Sequence, residues 1–140
     1  MKIRLLLLGL GCLLVLAFTG CSSTNSNQIQ ASLGQQFTLP VGQTAVLNGE
    51  NLSFQFVKVS GDSRCQKGVQ CIQAGDAKCD MQFTYNNIAS EVTLTDKGGT
   101  DGFTQSSYNQ YNLSFRVDPY PEADKTISAA DYKLLMTVTK

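Results

Sequence analysis

The chain has 140 residues, 11 Lys plus Arg against 11 Asp plus Glu, and neither His nor Trp. That length holds one domain, and a balanced charge without basic clusters excludes the electrostatic footprint of a nucleic-acid binder. The missing imidazole also removes the commonest general base and the commonest metal ligand.

The first element in chain order is a leader. Lys2 and Arg4 precede an apolar run from Leu5 to Phe18, and Thr19-Gly20 supply small residues before Cys21. A positive start, an apolar stretch and a small-residue exit are the three parts of a secretory signal peptide. The run is 14 residues long, short of the roughly 20 that a membrane-spanning helix needs. Residues 1–20 are therefore expected to be removed, leaving 9 basic and 11 acidic groups, a net charge of −2.

Phe18-Thr19-Gly20-Cys21 resembles the lipobox of bacterial lipoproteins, with Phe in place of the usual Leu. The resemblance implies that Cys21 becomes the acylated N-terminus. Two or more acyl chains give stable anchoring where one gives only marginal binding. Ser22 follows the cysteine, not the Asp that tends to retain lipoproteins at an inner membrane. The expected address is the cell envelope, at an outer membrane facing the periplasm or the cell surface. Residues 22–36 hold no charge and only two large apolar side chains, Ile29 and Leu33. Such a stretch does not repay its own ordering entropy, so 21–36 reads as the acylated cysteine and a flexible polar tether, with the folded domain at 37–140.

From Phe37 onward, apolar residues alternate with polar ones. Ala77, Cys79, Met81, Phe83 and Tyr85 share one parity; so do Tyr111, Leu113, Phe115 and Val117, and again Tyr132, Leu134, Met136 and Val138. Period-2 alternation marks strands with one buried face. Leu52, Phe54 and Phe56 share one parity and Val57 and Val59 the other, which a bulge near Val57 reconciles. Asn48-Gly49 and Asn86-Asn87 sit where two-residue hairpins are expected, because Asn and Gly tolerate positive φ. Residues 97–102 form a wider glycine-rich loop, Pro119 and Pro121 stop the strand before them, and residues 126–131 suit one short helical turn. Seven or eight short strands result, an all-β antiparallel sandwich or small barrel.

Cys65 and Cys71 lie six apart around Gly68 in an exported chain, and a disulfide is their expected fate. Closing so small a loop is worth roughly 2–2.5 kcal/mol on the chain-entropy model. Cys79 occupies an inward strand position and reads as a buried thiol, though three cysteines permit three pairings. A soft-metal site from Cys65, Cys71, Cys79 and Met81 matches no zinc spacing, and the disulfide competes for the thiolates. No metal or cofactor is expected. Asp62 and Arg64 are close enough to pair, or to hold the loop backbone. The alternative is that the loop presents Asp62, Arg64 and Lys67 to a partner, with the disulfide supplying preorganisation.

Asp62-Ser63-Arg64-Cys65, Gly68-Val69, Cys71 and Ala74-Gly75 resemble, in that order, a motif of small exported bacterial proteins, many of them lipoproteins. In that family Pro stands where Gln66 is and Trp where Gln73 is. The resemblance implies a domain type and a compartment, and no activity.

Catalysis would need a nucleophile, a base and an oxyanion donor. Asp76 and Asp80 lie along one strand rather than across a cleft, Asp96 and Asp101 flank a loop that reads as a solvated turn, and no nucleophile elbow or phosphate loop is present. Three functions follow: a non-catalytic envelope lipoprotein that binds a protein or glycan, an inhibitor of a lytic enzyme such as lysozyme, and, least supported, a hydrolase using carboxylates. Tyr108, Tyr111 and Tyr120 are either core-edge residues or a platform for a sugar.

Overall fold

A computed structural model describes residues 27–97, 99 and 102–140. The expected leader, the expected acylation site Cys21 and residues 22–26 lie outside them. Nine strands follow in order: β1 Gln28–Ala31, β2 Gln36–Pro40, β3 Thr44–Leu47, β4 Leu52–Asp62, β5 Ala77–Tyr85, β6 Ile88–Asp96, β7 Thr104–Tyr108, β8 Tyr111–Asp118 and β9 Lys133–Thr139. They form two sheets, ordered β1-β3-β4-β5-β6 and β2-β9-β8-β7. Neighbours are antiparallel except β1 and β3, which are parallel because β2 lies between them in sequence and belongs to the other sheet. The architecture is a sandwich and not a closed barrel.

Alternation places the core. Phe54, Phe56, Met81 and Phe83 from the first sheet meet Leu39, Leu113, Phe115, Leu134 and Met136 from the second, all essentially solvent-free. A chain of rings crosses the interior: Phe37 stacks on Phe54 at 5.8 Å, Phe54 lies 5.6 Å from Phe83, and Phe83 meets Tyr108 edge-on at 4.5 Å. Such pairs add to simple burial, and here they link both sheets.

The expected bulge is present. Pairing of β4 with β5 slips between Phe56 and Lys58, leaving Val57 exposed and returning Val59 to the inner face opposite Cys79. A second irregularity follows between Val59 and Gly61. Asn86 and Asn87 take φ of 48° and 64° in a two-residue turn between paired Tyr85 and Ile88, as a twisted hairpin requires. The turn at Asn48-Gly49 is wider, covering residues 48–51, with Gly49 at φ 76°. A single 3-10 turn at Ala129–Asp131 precedes β9.

One expectation changes. Eight strands, β2 to β9, lie from Gln36 onward as expected, and among the described residues a ninth, β1, precedes them, so order begins before residue 37. β1 falls inside the stretch read as tether: Ala31 is buried, Asn48 N donates to Ala31 O at 2.8 Å, and Gly34 N donates to Val138 O at 2.8 Å. Residues 22–36 would not order in isolation. The edge of β3 offers a finished row of backbone partners, so four residues with little apolar surface become ordered by pairing.

Candidate functional site

β4 and β5 are joined by residues 63–76, which carry the disulfide. Three features fix the base of this loop. Ser63 N donates to Asp76 O at 2.8 Å, and Cys65 N donates to Ala74 O at 2.7 Å. Ser63 Oγ also accepts from Asp76 N at 3.1 Å. Gly75 has φ 70°, and a Cβ there would lie 1.9 Å from Ser63 O, so only glycine lets the two strands of the loop approach. The Cys65–Cys71 disulfide closes the upper part, with Cα atoms 5.9 Å apart. Lys67 N donates to Pro121 O at 2.8 Å, tying one flank to the loop between β8 and β9. The distal residues are free: Val69 is exposed, and Ile72 is fully in solvent.

Beneath the loop lies Arg64, whose side chain is 0% exposed. Its guanidinium forks onto Asp62, with Nε to Oδ1 at 2.9 Å and Nη2 to Oδ2 at 2.7 Å. Nη1 donates to Val117 O at 2.6 Å and Nη2 to Pro119 O at 3.0 Å, both on the opposite sheet's side. Tyr120 covers the cation with its ring, 5.1 Å from centroid to Cζ. Asp96 Oδ2 stands 4.0 Å from Nη1 and accepts Val117 N at 2.9 Å, while its Oδ1 accepts the Thr104 hydroxyl at 2.8 Å. Tyr132 donates its hydroxyl to Asp62 Oδ2 at 3.1 Å, and Arg64 N donates to Asp62 Oδ1 at 3.2 Å. One arginine therefore clamps the end of β4 to the end of β8 with its donors matched to acceptors, the condition for burying a charge.

The electrostatics follow from these contacts. Burial pushes the Asp62 carboxyl up, but hydrogen bonds and charge from Arg64, with the Tyr132 hydroxyl, outweigh it and hold the group below the usual carboxylate range. Burial, then the Asp62 charge and hydrogen bond, push the Tyr132 phenol up to about 12. Cys79 is a free, buried thiol, pushed to about 12 by burial first and by Asp96 next.

Of the residues expected to meet a partner, only Lys67 is available. Arg64 is enclosed and Asp62 is spent on it, so the reading in which the loop presents Arg64 gives way to the structural one. The motif Asp62-Ser63-Arg64-Cys65…Ala74-Gly75 is thus a folding device: the acid and arginine form the clamp, and the serine, cysteine and glycine form the base of the loop. Gln66 and Gln73 are both exposed.

The tyrosines are not a platform. Tyr111 is buried and donates to Glu50 Oε2 at 2.7 Å, Tyr108 shares a 2.8 Å hydrogen bond with Ser90, and Tyr120 lies over Arg64. Asp96, expected only to flank a solvated turn, is itself buried at 4% exposed, and Asp101 lies outside the described residues. The inward parity of Asp96 with Val92 and Leu94 was the available signal. Glu50 went unnoticed for want of any local pattern; its partners Tyr111 and Lys140 are 61 and 90 residues away.

A shallow hollow of about 600 Å³ lies on the outer face of β4, β5 and β6, lined by Gln55, Val57, Lys58, Asp80, Gln82 and Glu91 among others. Asp80 accepts from Ser60 Oγ at 3.0 Å and faces Lys58 Nζ at 3.8 Å, which holds it as a charge-neutralised surface acid. Among the described residues, no three or more Cys, Asp or Glu converge as a metal site would require. Comparison with family models, curated proteins and solved structures finds no match.

Proposed function

We propose that the protein is a bacterial lipoprotein, exported, cut before Cys21 and held on the membrane by acyl chains on that cysteine. Its β-sandwich is a non-catalytic module that binds a protein or glycan partner in the envelope, at an outer membrane facing the periplasm or the surface.

The observation that carries this reading is the N-terminal sequence: Lys2 and Arg4, the apolar run 5–18, and Thr19-Gly20-Cys21. The Cys65–Cys71 disulfide agrees with an oxidising compartment. The motif around Arg64 resembles exported proteins of the same kind. The hollow lined by Gln55, Lys58, Asp80, Gln82 and Glu91 offers donors and acceptors without a catalytic pair, which suits recognition more than turnover.

The test is the mass of the mature N-terminus together with cell fractionation. The native chain is expected to begin at an acylated Cys21 and to partition with membranes. Cys21→Ser should keep the leader or appear in the soluble fraction. A native chain with Cys21 bare would end the lipoprotein reading.

A further inference from the structure

Ile72 is 104% exposed and Val69 46% exposed, at the tip of a loop held in place by a disulfide, two backbone rungs and a buried arginine. Aliphatic side chains left in water on a mobile loop need no explanation. On a loop braced this heavily they form a small apolar tip held in one shape, preorganised for contact.

The topology indicates with what. β1 runs parallel to β3 and β3 antiparallel to β4, with Gln28 beside Thr44 and Thr44 facing Gln55. Going backward from Gln28 toward Cys21 is therefore the same direction as going forward along β4 toward the disulfide loop. Cys21 lies seven positions before Gln28, and Asp62 seven positions after Gln55. The first interval spans at most about 25 Å when fully extended. The chain thus enters β1 from the end of the sandwich that bears Val69 and Ile72, within reach of an anchor at Cys21. Phe103, 37% exposed, follows β6 and precedes β7 at that same end.

The chemistry of the loop agrees with lipid more than with a protein socket. From Cys65 to Gly75 there is no acid and a single cation, Lys67. Within residues 65–75 there is also no Trp, Tyr or Arg, the side chains that dominate protein hot spots. Two aliphatic residues beside one lysine match the boundary between acyl chains and anionic headgroups. We infer that the disulfide-closed loop is a membrane-seating wedge, with Ile72 inserted into the lipid surface on which the protein is anchored. This rests on the lipoprotein reading above. One inserted isoleucine would not hold the protein on a membrane by itself. It orients a domain that the acyl chains already keep at high local concentration beside the bilayer.

The absence of tryptophan makes the test direct. Ile72→Trp and, at the opposite end, the exposed Ile88→Trp are each prepared in the full chain as processed by bacteria. Each is reconstituted into phosphatidylethanolamine and phosphatidylglycerol vesicles bearing brominated acyl chains. The mass at Cys21 is recorded for every sample. The I72W emission is expected to shift blue and to be quenched about twofold by the bromolipid, and the I88W emission to do neither. With Cys21 acylated, equal quenching of the two indoles overturns the wedge and leaves the anchor standing. A blue shift of I72W that appears only with envelope proteins and is not quenched by bromolipid overturns it in favour of a protein cleft, as an inhibitor of a lytic enzyme would need. A bare Cys21 overturns both readings together.

Discussion

Arg64 has its whole side chain out of solvent, and its position is stable only because Asp62, Val117 O and Pro119 O meet its donors. Removing one member of a buried pair leaves the other charged and unpaired, which costs more than the pair contributed. Arg64→Ala is expected to lower unfolding free energy by roughly 3–5 kcal/mol at neutral pH, read by urea denaturation. The pH dependence has a defined sign. Because Asp62 sits below its unfolded value of about 3.9, its contribution is complete above that pH and is lost as pH falls through the folded value. The gap between wild type and Arg64→Ala should therefore narrow below about pH 4. A gap that stays constant from pH 7 to pH 3 would show that Asp62 is not the partner that matters. Pairing between Asp62 and Arg64 was legible from their spacing. That Arg64 reaches across to β8, 53 residues away, was not, since no local pattern encodes which strand ends meet.

At the scale of elements, the loop of residues 63–76 depends on close approach of its two flanks. Gly68 and Gly75 both have positive φ, 83° and 70°, yet only Gly75 faces a backbone oxygen, with Ser63 O 1.9 Å from a built Cβ. Gly68→Ala meets open space and should cost only the left-handed penalty of about 1–2 kcal/mol. Gly75→Ala must also push the Ser63 flank aside and should cost about 3 kcal/mol or more, with slower closure of the Cys65–Cys71 bond. Thermal unfolding and thiol titration of the two variants separate the effects. Equal losses at both sites would remove the steric account. A sequence reader sees two glycines in a cysteine loop. Which of them is irreplaceable depends on the separation of two backbones that only the folded chain defines.

At the scale of the molecule, the sandwich includes β1, Gln28–Ala31, which lies ahead of Phe37. β1 closes the outer edge of β3, covering a strand whose Ala45 and Leu47 are fully buried. A chain starting at Phe37 loses Ile29, Ala31 and the pairing of residues 28–31. It is expected to be less stable than one starting at Asn27 by about 2 kcal/mol or more, the scale of re-exposing one large aliphatic side chain. Matched denaturant midpoints for the two chains would show β1 to be dispensable. The direction in which β1 enters the sheet sets the end of the sandwich at which the chain before Asn27 joins it.

The amino-acid sequence alone determined the all-β class, the inward faces of β5, β8 and β9, the bulge at Val57, the Asn86-Asn87 hairpin and the Cys65–Cys71 bond. Each depends on neighbours a few residues apart, where side-chain alternation and turn stereochemistry act directly. Tertiary structure alone decided the sandwich over the barrel, the entry of β1 into the first sheet and the enclosure of Arg64 by β8. Those outcomes turn on which strand edges and strand ends come together, and backbone pairing is nearly blind to sequence, so residues far apart in the chain are matched only once the two sheets have packed.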